Sequence, residues 1–240
     1  MRSLRVAPLA LLALLSLAAP AAASPQFKSA YKIKLTTKKP ATSSGWSADV
    51  KLRDAGDPMG RPKILTGVKF NLPSGSKWDP KAHAACKASN ADFMSKGPGE
   101  FCPKSSRFGS GKASVIVGAT PLSFPITSYN LQPLDFNGKK RELLLDVVLD
   151  PNNPALSFSI EGRLTSHSAF FSLEAAPQYD IHTTDIHFAL PAAKTGKHAY
   201  LTTPKKCPKS KSWKASVQST YSDGTDETVP LKLPCKRPRS

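Results

Sequence analysis

From Phe27 onward apolar and polar residues alternate with a period of two: Phe27, Tyr31, Ile33 and Leu35 fall on one side of the register, Lys28, Lys32 and Lys34 on the other. Successive side chains of a strand point to opposite faces, so this alternation predicts a half-buried β-strand. Trp46, Ala48, Val50 and Leu52 repeat the pattern against Ser47, Asp49, Lys51 and Arg53, after a stretch of turn residues at 36–45. Gly and Pro break the chain between 54 and 62. Ile64, Val68, Phe70 and Leu72 then share one face of a third strand, which Pro73 stops. Further strands are predicted at 113–117, 122–131, 142–149, 156–164, 169–173, 181–190, 199–202, 213–221 and 228–233. Many are separated by turns such as 150–154 and Asp223-Gly224.

Residues 79–96 break this rhythm. Ala82, Ala84, Ala85 and Ala88 lie in a run with no proline beyond Pro80, which predicts one short helix with Asp79 as its cap and Pro80 in its first turn. Many short strands with a single helix point to an all-β fold. The expected form is an antiparallel β-sandwich, immunoglobulin-like or jelly-roll-like. Residues 24–240 are of a length that one such domain accommodates, with 204–240 expected as a disulfide-stapled C-terminal hairpin docked on it.

The first residues follow a different logic. Arg2 and Arg5 precede an apolar stretch at 6–19 that ends in Pro20-Ala21-Ala22-Ala23. A charged start, a short apolar middle and small residues before the cut define a secretory signal peptide at 1–23, cleaved after Ala23. No other segment is long and apolar enough to span a bilayer, because the best later run, 143–149, contains Asp146. The expected product is a soluble protein, secreted or associated with the cell envelope. In that oxidising compartment Cys86, Cys102, Cys207 and Cys235 read as two disulfides, since no Cys-x-x-Cys pair suggests zinc or redox chemistry. Three pairings are possible. Cys86 with Cys102 and Cys207 with Cys235 is favoured, because each pair falls within one loop-rich segment.

Charge narrows the partners. The chain carries a formal +17, and Arg2 and Arg5 leave with the leader, so +17 becomes +15. An excess of that size draws polyanions such as wall polymers, anionic lipid surfaces or nucleic acid. With 25 Lys against 9 Arg, the composition speaks against specific nucleic-acid readout, which relies on bidentate Arg. Residues 186–222 contain no acid and hold Lys194, Lys197, Lys205, Lys206, Lys209, Lys211 and Lys214, with Tyr200 and Trp213 nearby as candidate stacking platforms.

Several segments resemble a family of uncharacterised exported β-rich proteins of soil actinobacteria. They are Gly67-Val68-Lys69-Phe70-Asn71 leading to Cys86, Cys102-Pro103-Lys104-Ser105-Ser106 followed by Gly109-Ser110-Gly111, and the run from Tyr200 to Cys207 with Trp213. Tyr221-Ser222-Asp223-Gly224-Thr225 and Pro234-Cys235 continue the pattern. The resemblance implies a secreted, disulfide-bearing sandwich with the pairing given above, and no activity.

Catalytic signals are weak. His182 and His187, five residues apart, fall on opposite faces of a regular strand and could share a metal only across a bulge, although Asp180 shares a face with His182 and Asp185 with His187. His83, His167 and His198 have no informative neighbours in sequence. Gly109-Ser110-Gly111-Lys112 lacks the spacing of a phosphate loop and reads as a turn into the next strand. Glu142, Glu161 and Glu174 are the strand-borne carboxylates that glycoside hydrolysis could use, and no Gly-x-Ser-x-Gly elbow is present. No catalytic residue, metal ligand or cofactor is assigned. The expectation is a non-catalytic exported sandwich that adheres to anionic cell-envelope polymer or membrane surface. Two alternatives stand beside it: an exported hydrolase of polysaccharide or ester, and a carrier of an apolar ligand held by Phe124, Phe158, Phe170 and Phe188.

Overall fold

The computed structural model describes residues 27–88, 92, 98–136, 139–148, 157–173 and 176–237, with the backbone alone at 98–99, 132–136, 139–148 and 157–158. The predicted leader lies outside these residues. In chain order the strands are β1 (Phe27–Leu35), β2 (Trp46–Asp54), β3 (Leu65–Asn71), β4 (Lys77–Trp78), β5 (Arg107–Val117), β6 (Thr120–Phe136), β7 (Lys139–Val148) and β8 (Ser157–Leu164). They continue with β9 (Ser168–Ser172), β10 (Ile181–Leu190), β11 (Lys194–Thr195), β12 (His198–Ala199), β13 (Leu201–Thr202), β14 (Ser212–Tyr221) and β15 (Asp226–Pro234).

Eleven of these strands form one antiparallel sheet in the order β1-β2-β10-β5-β6-β7-β8-β9-β3-β14-β15. The sheet doubles back on itself into an all-β sandwich. Inward residues of β2 and β10 meet those of β3 and β9: Trp46 lies 5.2 Å from Phe70 and 6.0 Å from Phe188 between ring centroids, and Phe70 lies 6.3 Å from Phe171. Ala48, Val50, Leu52, Val68 and Val217 complete this dry core, which the period-two pattern had aimed inward. The C-terminal hairpin is continuous with the sheet, because β14 pairs with β3 from Ser216 to Tyr221.

Doubling back brings the two edge strands face to face. Ser29 Oγ donates to Glu227 Oε1. Tyr31 Oη lies 2.7 Å from Ser219 Oγ, and Tyr221 Oη donates to Glu227 Oε2 at 2.9 Å. Burial, then the neighbouring Tyr31 and Glu227, push the Tyr221 phenol far above its usual range. Side chains thus close the seam where the ladder stops. Lys28, Lys32 and Lys34 on β1, with Pro230 and Pro234 on β15, keep both edges from adding a further strand.

The helix predicted at 79–96 is not what residues 79–88 form. Asp79 does cap a turn, its carboxylate accepting from Lys81 N at 3.1 Å, but that turn is a 3-10 helix of only Pro80–Ala82. Beyond it the carbonyls a helix would use are taken: the buried Asn130 donates through Nδ2 to the carbonyls of Pro80, His83 and Ala84. Cys86 N donates to the Asn130 carbonyl at 2.8 Å, forming a parallel bridge to β6. Tertiary pairing outweighs alanine's helical preference here. A short helical turn does occur at Pro98–Phe101.

Both favoured disulfides are present. Cys86–Cys102 closes a loop over the outer face of β6, where it joins Ala88, Tyr129 and Leu131 in a small second core. Cys207–Cys235 ties the loop before β14 to the end of β15. Among the described residues no helix is long and apolar enough to cross a membrane.

Candidate functional site

Strand direction sorts the loops into two ends. At one end lie 36–45 before β2, 72–84 after β3, 191–211 after β10 and 235–237 after β15. Hydrogen bonds knit these sequence-distant segments together. Ala41 N donates to the Pro204 carbonyl at 3.0 Å, Thr203 Oγ1 to the Lys39 carbonyl at 2.7 Å, and Lys236 N to the Lys38 carbonyl at 2.8 Å. Cys235 N donates to the Lys211 carbonyl at 3.0 Å, beside the Cys207–Cys235 bond. β4 pairs with β13, setting Lys77 opposite Thr202.

All seven lysines singled out in the sequence are exposed. Lys194 and Lys197 ride the β11–β12 hairpin, Lys205, Lys206, Lys209 and Lys211 the following loop, and Lys214 the start of β14 opposite Lys232. The fold adds members that a reading along the chain could not join to them. Lys38, Lys39, Lys77, Lys81, Lys236 and Arg237 are also exposed at this end. Their signal in the sequence was the scarcity of acid in these segments, three of which contain none. The one carboxylate among these four segments is Asp79. It is held by His198 Nδ1 at 2.6 Å; burial alone raises its pKa, but the bonds from His198 and Lys81 N outweigh that and leave it lowered. Among the described residues no lysine of this end has an ion-pair partner.

The opposite end carries the other sign. Its loops and the strand ends beside them hold Asp54, Asp57, Asp180, Asp223 and Asp226 against Arg61 and Lys63. Arg61, through its side-chain hydrogen bonds, holds Asp57 down at about 2, and Lys63 does the same for Asp223, also about 2. The four knitted segments are thus cationic and the loops opposite them acidic, while the 85–106 segment, which enters β5 from the lysine side, carries Lys87 and Lys104 as well as Asp92 and Glu100.

The aromatic platforms expected beside the lysines are not available. Tyr200 and Trp213 are each 3% exposed and belong to the core. Trp213 Nε1 donates to the Lys206 carbonyl at 2.8 Å, so it braces the lysine loop from beneath.

The histidines fall out differently from the regular-strand expectation. β10 carries a bulge between Thr183 and Asp185, which sets His182 opposite Ile116 and His187 opposite Lys112, on one face. They are nonetheless separately engaged. His182 bonds the Pro62 carbonyl and Asp180, while His187 bonds Asp49 at 2.6 Å and Asp185 instead pairs with Arg53. Among the described residues no three metal-ligating side chains gather, and no hydroxyl bonds the ring of His187 or His198.

Gly109-Ser110-Gly111 is not a turn into β5 but part of it. A Cβ on Gly111 would stand 2.1 Å from the His187 carbonyl oxygen, so glycine serves close approach to β10. Glu161 lies on β8, whereas the side chains of Glu142 and Glu174 lie outside the described residues. Phe124 and Phe188 are packed core and Phe170 covers Gly67 on the outer side of β3; the Phe158 side chain is outside the description.

No family model matches the chain, nor does any curated protein or solved structure. What the arrangement can do chemically therefore rests on its own geometry: a broad, rigid surface of solvated ammonium groups.

Proposed function

We propose that this chain is an exported, non-catalytic β-sandwich protein that adheres to anionic polymers of the cell envelope through its lysine-rich end. The observation that carries the reading is the convergence of exposed lysines from sequence-distant segments, with the partner left to supply the anions. The predicted leader at 1–23, two disulfides and the resemblance to exported actinobacterial β-rich proteins support an extracellular setting. Polarity adds orientation, since a charged wall pulls one end and repels the other.

The test is sedimentation of the chain starting at Ser24 with purified cell wall across a salt series, beside a variant with Lys205, Lys206, Lys209 and Lys211 changed to Gln. The expected outcome is binding that falls steeply with salt and weakens at least tenfold in the variant. Equal binding by both proteins, or none by either at low salt, contradicts the reading.

A further inference from the structure

Resting on the polyanion reading above, we infer that the partner is a linear, phosphate-bearing envelope polymer, gripped by charge alone on a patch built from Lys38, Lys39, Lys205, Lys206 and Lys236. These five come from three segments joined by two main-chain bonds, Lys236 N to the Lys38 carbonyl and Ala41 N to the Pro204 carbonyl, and by the Thr203 hydroxyl donating to the Lys39 carbonyl. The Cys207–Cys235 bond anchors the loop that bears Lys205 and Lys206 to the strand end that bears Lys236. The patch is thus preformed, and binding does not have to order it.

Three features select the class of ligand. Sugar recognition by stacking needs an exposed ring, and both aromatic candidates near the lysines are buried. Insertion into a bilayer needs an apolar anchor beside the charges. The exposed large apolar residues are instead Met59, Leu122 and Tyr179 at the opposite end and Phe101 on the Cys86–Cys102 loop. Finally, the five charges are ammonium groups. The forked guanidinium of Arg grips carboxylate and phosphate alike through paired bonds, whereas an ammonium acts as a point charge, the mode in which Lys engages phosphate without demanding orientation. Spread over three segments rather than lining one pocket, the charges suit successive phosphates of an extended chain.

The experiment titrates the chain from Ser24 with poly(glycerol phosphate), polygalacturonate, dextran and phosphatidylglycerol vesicles over a range of salt, beside a Lys38→Gln/Lys39→Gln/Lys236→Gln variant. All three changes lie outside the acid-free stretch 186–222. The expected result is tightest binding to poly(glycerol phosphate) at matched charge, with a log–log salt slope shallower by about 2 in the triple variant, at roughly 0.7 per lost contact. Polygalacturonate binding as tightly, or vesicles binding more tightly, overturns the phosphate-polymer class while leaving the polyanion reading intact. An unchanged slope in the triple variant overturns the placement of the patch. Failure of every polyanion to bind overturns both. Near-ultraviolet circular dichroism checks the fold, and should the triple variant lose it, Lys236→Gln alone is read for a slope change of about 0.7.

Discussion

Asn130 is 1% exposed and its amide donates to three main-chain carbonyls, at 3.0 Å to Pro80 and 3.3 Å to His83 and Ala84. One side chain therefore holds the segment that caps the lysine-bearing end of the sandwich. His83, in that segment, packs 5.6 Å from Phe108 and 5.4 Å from Tyr200 between ring centroids. Burial is the main cause that lowers its pKa below the ordinary 6.5, against a smaller opposing contribution from a Ser105 main-chain bond. The sign follows from linkage. The folded state takes up this proton less readily than the unfolded chain, so the stabilisation is whole above pH 6.5 and is lost as pH falls below it. Urea unfolding measured from pH 8 to pH 5 should show stability dropping in that lower window, and His83→Gln should flatten the drop. A wild-type profile that rises on acidification through this range contradicts the assignment.

At the scale of elements, β5 and β10 approach so closely that glycine is required at the contact. A Gly111→Ala change sets the new carbon against the His187 carbonyl and should cost about 1–3 kcal/mol. In thermal unfolding that is a fall of at least about 2 °C; an unchanged midpoint means the strands have room to part. This contact also shows where sequence reading fails. Alternation in β1, β2 and β14 was plain because each has one face in the core and one in water. Gly109-Ser110-Gly111 looked like a turn because glycine's use depends on what approaches it, and β10 lies far along the chain. The alanine run at 84–88 looked helical because its competing partner, Asn130, is a residue of β6. The bulge at Thr183, which brings His182 and His187 to one face, is set by pairing with β5 and leaves no local mark.

At the scale of the molecule, the lysines were legible as a run in 186–222, and their exposure follows from their chemistry. That Lys38, Lys39 and Lys236 join them was not legible, since bonds between distant loops, main-chain, Thr203 hydroxyl and the Cys207–Cys235 disulfide, bring them together. The same topology gathers aspartates at the far end and arranges the positive excess of the chain along an axis. Net charge attracts any polyanion to any face, whereas an axis makes one end the contact. The most direct measurement compares two variants of equal charge: Lys205, Lys206, Lys209 and Lys211 to Gln at the end, and Lys28, Lys32, Lys51 and Lys112 to Gln on exposed sheet positions. Wall binding at one low ionic strength should fall at least tenfold in the first and less than twofold in the second. Equal losses in both would contradict the account, because net charge and not a built surface would then be responsible.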